Sequence, residues 1–470
     1  YVPNAYQGLV GRLTYEYASR YLAEFNMGYN GTENFAKGKR FGFFPAVSLG
    51  WVISEEKFFP KNNIVKYLKV RGSYGEVGND QIGGDRFLYL PSSYGAASDS
   101  GVNKYNFGLA SNPYTSLMIV ENKIGNPDLT WEKAKKMNVG VDINLFNNCL
   151  TASFDIFKEK RNNILANRST SPMIIGANLP AYNFGEMENR GWEMDLNFRH
   201  HIQDFHYWAR FNYSFARNEI IYMDEVQKRY DYQMTTGRRK NQFFGLIFDG
   251  YYNSWEEINA LDRPKSSWSG NQLQPGDVKY VDVNQDGVID DYDMVPIGYT
   301  PVPEIIYGFS FGAQYKGFDF SILFQGADNV SIKYFGRSMW PFAKGEESAK
   351  SLIKERWTQE RSEAGEKITF PRLSLNPNGE TDHNYRPSTL WIRDASYLRL
   401  KNLEVGYTFT GGFVKRLNLN SVRLYFNGSN LFTWTDVVDL DPEAPSRSGN
   451  VEINTYPLQK VYNIGLNINF

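Results

Sequence analysis

Arg190–Ile220 reads RGWEMDLNFRHHIQDFHYWARFNYSFARNEI. Apolar side chains at Trp192, Met194, Leu196 and Phe198 alternate with Glu193, Asp195, Asn197 and Arg199. After a short break from His201 to Asp204, the same period resumes at Phe205, Tyr207, Ala209, Phe211, Tyr213 and Phe215. Their partners are mostly polar, Arg210 and Asn212 among them. A period of two gives a β-strand one apolar and one polar face. Two such runs, each of about ten residues, suit tilted membrane strands better than the usual shorter strands of globular proteins.

The pattern recurs outward from this hairpin. Met137, Val139, Val141, Ile143 and Leu145 carry it on one side, and Ile305, Tyr307, Phe309, Phe311, Ala313 and Tyr315 on the other. The sequence predicts about 13 strands, near 8–18, 20–29, 41–54, 66–76, 132–146, 149–164, 190–200, 204–220, 304–315, 318–327, 390–410, 420–433 and 460–470. Some links are very short, such as Asn147-Asn148 and Lys316-Gly317, whereas 77–131, 221–303, 328–389 and 434–459 are very long. Long and short links alternate over the last nine strands. Outer-membrane barrels have this asymmetry, with tight periplasmic turns and long external loops. A soluble sandwich has no reason to place every long loop at one end. Parity then sets the C-terminus on the periplasmic side.

The last strand agrees. Tyr462, Ile464, Leu466, Ile468 and the terminal Phe470 alternate with Asn463, Gly465, Asn467 and Asn469. Such a strand resembles the signal read by the outer-membrane assembly machinery, against the plainer reading of an edge strand that ends in Phe. With 51 basic and 52 acidic side chains among 470 residues, no bulk charge points to nucleic acid. The mean hydropathy of −0.50 argues against helical spans, but barrel strands average out as mildly polar. Cys149 is the single cysteine, which excludes an internal disulfide framework and any cysteine-cluster metal site.

Several stretches resemble one family. Asn189-Arg190-Gly191-Trp192-Glu193 resembles a strand opening of TonB-dependent receptors. LWIRDASYLRLKNLEVGYTF, from Leu390 to Phe409, resembles a late-barrel stretch of SusC/RagA transporters. LTWEKAKKMNVGVDINLFNN from Leu129 and PGDVKYVDVNQDGVID from Pro275 are similar to the same family. The resemblance implies an all-β transmembrane antiparallel barrel of about 22 strands with a plugged lumen. It implies a Gram-negative outer-membrane protein that imports a nutrient. A plug domain with a TonB box would be its energy link and a SusD-like surface lipoprotein its partner. About nine strands, the plug and the TonB box would then lie outside this chain.

The loops carry the chemistry. Asp282-Val-Asn284-Gln-Asp286-Gly287-Val288-Ile-Asp290-Asp-Tyr-Asp293 has the spacing of an EF-hand-type Ca²⁺ loop. Asp282, Asn284, Asp286, the Val288 carbonyl and Asp293 are the expected ligands, with Asp290 acting through a water. Asp instead of Glu at the twelfth position shortens that arm. No flanking helices are evident, so the expected role is to stiffen a loop. The alternative is an acidic, solvated turn. Tyr251, Tyr252, Trp255, Trp268 and Trp340 are candidate substrate contacts, since flat rings stack on sugars and anchor peptides. Packing of the loops on each other accounts for them equally well. His200, His201 and His206 cluster at a short turn and read as solvated or headgroup-facing. No nucleophile elbow and no phosphate-binding glycine loop occurs, so an enzyme has little support.

Three classes of function remain: active import of a glycan or, second, a peptide; a passive or adhesive barrel; and a soluble carbohydrate-binding β protein. Two structural expectations follow. Leu398 and Leu400 are apolar at even positions, but Leu403, Val405, Tyr407 and Phe409 at odd ones. A straight strand cannot keep both sets on one face, which predicts a β-bulge near Lys401-Asn402. Counting back from a periplasmic C-terminus puts Tyr1 outside the cell. The chain is then expected to be the C-terminal product of a nick, or a segment, of a protein about twice as long, its first strand pairing with a strand of the missing part.

Overall fold

The computed structural model describes residues 5–81, 86–90, 95–96, 104–109, 114–117, 119–120, 124–170, 179–268, 273–334, 340–342, 351–374, 382–438, 440–443, 450–451 and 458–470. Among these, one 13-stranded sheet dominates. Its strands are β1 (Tyr6–Tyr17), β2 (Tyr21–Thr32), β3 (Phe41–Val52), β4 (Val65–Asn79), β5 (Glu132–Leu145), β6 (Leu150–Ala166) and β7 (Tyr182–Ile202). Then follow β8 (Phe205–Tyr222), β9 (Ile305–Tyr315), β10 (Phe318–Asp328), β11 (Tyr397–Phe409), β12 (Ser421–Thr435) and β13 (Val461–Asn469). Each strand pairs with its sequence neighbour, so the order in space is the order in the chain. The expected number of strands is met.

Two strand boundaries differ most from expectation. β7 starts at Tyr182 instead of 190, because Glu186, Glu188 and Arg190 hide the alternation behind charge. The stretch 390–410 is not one strand: Ile392–Asp394 pairs with Ser331–Tyr334, outside the main sheet, and β11 starts only at Tyr397.

Connections sort by end. At one end lie the tight turns, where Ala18 and Ser19 (φ 52° and 55°) or Lys316 and Gly317 (φ 46° and 91°) take the left-handed region. Positive φ at a two-residue turn matches the right-handed twist of the flanking strands. The long segments 80–131, 223–304, 329–396 and 436–460 all leave from the other end.

Cross-strand register assembles one apolar surface. Val139, Ile156, Trp192, Phe215 and Ile305 stand side by side on β5 to β9. Further along, Phe324 faces Leu400, and Leu400 faces Phe432. Phe426 faces Ile464 on the last strand. Stacked pairs reinforce the wall: Trp192–Tyr213 at 4.7 Å and Phe309–Phe324 at 4.5 Å, each worth about 0.5–1.5 kcal/mol beyond burial. The opposite face is polar. Arg71 bonds Asp142 at 3.1 Å and Asp155 at 2.6 Å across β4, β5 and β6, and Arg423 bonds Glu404 at 2.6 Å and also Asp319. Apolar outside and polar inside is the arrangement of a lipid-embedded barrel wall, the reverse of a soluble sandwich.

The bulge is present. Leu323 and Phe324, consecutive on β10, face Asn402 and Leu400, so Lys401 is the extra residue. Across β12 the same point is marked by Asn430 at φ 55°. The inserted residue lets Lys401 and Asn402 share the inner side, while Leu398, Leu400, Leu403 and Val405 all stay outside.

The sheet is open: β1 and β13 each pair along one edge only. β1 runs from the long-loop end, since Tyr6 pairs with Thr32 there. Tyr1 itself lies outside the described residues.

Candidate functional site

Segments 223–304 and 329–396 build a cap with its own core over the long-loop end. Leu246, Val278, Phe370, Tyr385, Leu390 and Trp391 are buried together. Polar ties cross between the two segments: Val278 N–H donates to Asn384 Oδ1 at 2.9 Å, and Asn384 Nδ2 donates to buried Asp277 at 2.8 Å. Arg372 pairs with the same carboxylate at 2.6 Å. His383 Nε2 donates to the Val278 carbonyl at 2.8 Å, and its Nδ1 shares a hydrogen bond of 3.1 Å with Ser266 Oγ. Burial holds its imidazole below its ordinary value. These contacts make the cap a folded unit.

Beneath the cap, ion pairs gather at the rim of the wall. Glu304, 5% exposed, receives Arg217 at 2.8 Å and also Arg239. A cavity of about 350 Å³ opens beside it, lined by Arg161, Asn189, Asn218, Arg239 and Glu304 among others. At the bulge, Arg399 is 2% exposed. It bonds Asp441 at 2.6 Å, Thr433 Oγ1 at 2.9 Å and Glu443. Glu443 also receives Tyr397 Oη at 2.8 Å and Lys401 at 3.4 Å. This clamp fastens the last long segment to the inner wall. No periodicity points to it, because Asp441 and Glu443 sit in a loop without period.

The five candidate aromatics divide. Tyr251, Tyr252 and Trp340 are each 8% exposed or less and pack inside the cap. Trp340 lies 5.6 Å from the Tyr385 ring, and burial pushes the Tyr251 hydroxyl well above its ordinary range. Trp268 is half-buried, with the Arg386 guanidinium 4.1 Å over its ring. Trp255 is 47% exposed and opens a short helix, Trp255–Asn259. It is the one of the five whose face is open to a ligand.

The loop 282–293 is rolled on itself. Gly287 N–H donates to Asp282 Oδ2 at 2.8 Å, Asp286 N–H to Asn284 Oδ1 at 2.9 Å, and Val288 N–H to Asp286 Oδ1 at 2.9 Å. Asp282 Oδ1 is buried with no hydrogen-bond partner. Asp293 is fully buried and accepts from Val283 N–H at 2.8 Å and Asp290 N–H at 2.9 Å. Burial pushes its carboxyl above the ordinary range despite those bonds. Gly287, at φ 81°, takes the conformation that the sharp turn requires. Among the described residues, no group of three or more His, Cys, Asp or Glu side chains stands ready to hold a metal.

At the short-turn end, Cys149 Sγ lies 3.4 Å from His200 Nδ1, and His201 stacks on His206 at 5.5 Å. On β13, Tyr462, Ile464, Leu466 and Ile468 are all exposed on the apolar face, and so is Phe470 just past its end.

The chain is similar to TonB-dependent receptor P3 of Formosa agariphila, at 29% identity over 98% of this chain and 45% of that protein. It is 28% identical to TonB-dependent receptor SusC of Bacteroides thetaiotaomicron, over 98% of this chain and 43% of that one. The chain thus spans about half the length of the curated relatives it matches. In fold it is similar to the RagAB peptide importer in its 'open-open' state, with a TM-score of 0.75, 23% identity, and coverage of 99% of this chain and 47% of that one. The sequence profile described as TonB dependent receptor-like, beta-barrel matches residues 4–431. With an apolar outer wall, a polar inner wall and that match, the chain belongs to the TonB-dependent receptor family of outer-membrane β-barrels.

Proposed function

We propose that this chain is the C-terminal part of the barrel of a SusC/RagA-type active importer, which takes up an oligosaccharide across the outer membrane of a Gram-negative cell. The observation that carries the reading is the folded cap: segments more than a hundred residues apart, such as Val278 and Asn384, are tied over the end of a polar-lined wall. The open edges of β1 and β13 suit further strands, which a longer protein would supply along with its plug and TonB box. TonB would drive the plug, and a SusD-like lipoprotein would sit on the cap. Trp255 is the side chain proposed to stack on the sugar. The apolar row ending in Phe470 is proposed as the assembly signal. Uptake of labelled oligosaccharides and peptides by cells whose only copy is the full-length protein tests this. TonB-dependent glycan uptake, reduced several-fold by Trp255→Ala, is expected. TonB-dependent uptake of peptides alone would move the substrate class to peptides, and uptake that persists without TonB would defeat active import.

The loop 282–293 is proposed to hold a structural Ca²⁺, through Asp282, Asn284, Asp286 and the Val288 carbonyl, with Asp290 through a water and Asp293 at the twelfth position. The orphaned Asp282 oxygen and the Gly287 turn support it. Binding at about 10⁻⁴–10⁻³ M, the range of extracellular modules, is expected by calorimetry on the full-length protein. Asp282→Asn combined with Asp286→Asn should abolish it. An unaltered binding heat in that variant would place the ion elsewhere.

A further inference from the structure

The cavity of about 350 Å³ beside Glu304 opens on the polar side of the wall. Glu159 and Arg161 follow Asp155 along β6 at steps of two, and Asp155 meets Arg71 on that side. Glu159 faces Asn189 on β7, and Asn189 faces Asn218 on β8. A carboxylate and two amides therefore share one row across three strands. Arg239 and Lys240, from the cap segment 223–304, close one side. Lys240 N–H donates to Asn218 Oδ1 at 2.7 Å, which fixes the orientation of that amide. Met187 and Val302 add an apolar margin.

The carboxylates of the recess are all satisfied by cations. Glu159 is bonded by Arg161 at 2.8 Å and Lys136 at 3.3 Å, and Glu188 by Lys158 at 2.8 Å. Glu304 holds Arg217 at 2.8 Å and also Arg239. What remains uncommitted is the Asn189 side chain, Asn218 Nδ2 and the Lys240 ammonium, which have no hydrogen-bond or ion-pair partner among the described residues. An anionic ligand would have to draw Arg161 or Arg239 from a carboxylate, and a shielded carboxylate left alone is costly. Lys240 is exposed, and a single exposed charge holds an anion only weakly. An uncharged sugar needs no such exchange. Its hydroxyls accept from Lys240 and Asn218 Nδ2 and donate to Asn189 Oδ1. Its C–H edges rest on Met187 and Val302, and the volume is that of a small-molecule site.

We infer that this recess is a subsite for one uncharged sugar unit of the imported oligosaccharide, held through its hydroxyls by Asn189, Asn218 and Lys240. The inference rests on the oligosaccharide reading and adds to it a place and a charge class. Asn189 and Asn218 belong to the wall, whereas Lys240 belongs to the cap. A bound sugar therefore bridges the two.

The test is titration calorimetry of the full-length protein in detergent with maltohexaose, xylohexaose, mannohexaose and an oligogalacturonate of the same length. Binding of a neutral oligosaccharide is expected, with roughly tenfold lower affinity in Asn189→Ala combined with Lys240→Gln. Neither substitution removes a side-chain bond within the protein, and heat-modified gel mobility shows that the variant has folded. Lys228→Gln, at an exposed lysine of the same cap segment outside the recess, should leave the affinity unchanged. Equal affinity of wild type and double variant for a neutral oligosaccharide, or binding of the oligogalacturonate alone, would overturn the subsite. Weakening by Trp255→Ala without weakening by the double variant would also overturn it, while the oligosaccharide reading stands. Binding of peptides and of no saccharide would remove that reading itself, and the subsite with it.

Discussion

Arg399→Ala is expected to release the segment 436–443 from the inner wall and to cost about 3–5 kcal/mol locally, as removal of one partner from a buried ion pair does. Arg399 is the cation that Asp441 and Glu443 share, and it is 2% exposed. Without it, two carboxylates remain in a closed site with only Lys401, Tyr397 and Gln325 beside Glu443. Hydrogen exchange on the full-length protein reads this directly: amides of Glu443 and Leu458, which now donate to Asp441, should lose protection. The paired residues of β11 and β12 should keep theirs. Arg399→Lys keeps the charge but loses the fork, and should fall between. Unchanged exchange in Arg399→Ala would show that the clamp holds nothing.

Deleting Lys401 has the larger consequence for the whole wall. A strand one residue shorter cannot keep Leu398 and Leu400 on the same face as Leu403, Val405 and Tyr407. One set must turn inward. If it is the first, Arg399 leaves Asp441 and Glu443 and turns toward lipid. The deletion variant should therefore fail to appear in the outer membrane as a heat-modifiable barrel. Lys401→Ala is the control, because it keeps the extra residue and loses only the contact with Glu443. Normal assembly of the deletion would mean that the bulge is dispensable.

That bulge is legible in the sequence, since the switch of phase from even to odd apolar positions is written in Leu398–Phe409. The wall as a whole was legible for the same reason: a period of two survives in one dimension. The cap was not. Leu246, Val278, Phe370 and Trp391 come from stretches without period, and only their burial together makes them a core. Tyr251, Tyr252 and Trp340 illustrate the limit. In sequence they are rings in long loops, and only distant partners such as Tyr385 decide that they pack inward. The spacing of 282–293 was legible, but the turning of Asp293 onto backbone amides was not. Cross-strand neighbours lay between these cases. Lys158 and Lys160 are plain in the sequence, but their opposition to Arg190 and Lys135 needed the register.

The strand order has a consequence in time. Every pairing in the large sheet joins sequence neighbours, and four of its twelve hairpins close over turns of two to four residues, such as Ala18-Ser19 and Lys316-Gly317, at small entropic cost. The ties of the cap join positions a hundred or more residues apart, as Leu246 with Ser388 and Val278 with Asn384. Until β9 and β10 are in place, 223–304 and 329–396 are separate tethered chains that must find each other across that gap. Once the hairpin of β9 and β10 has formed, their roots are neighbours on one rim, and the search shrinks to a local one. The ties between the two segments of the cap are therefore expected to form after that hairpin.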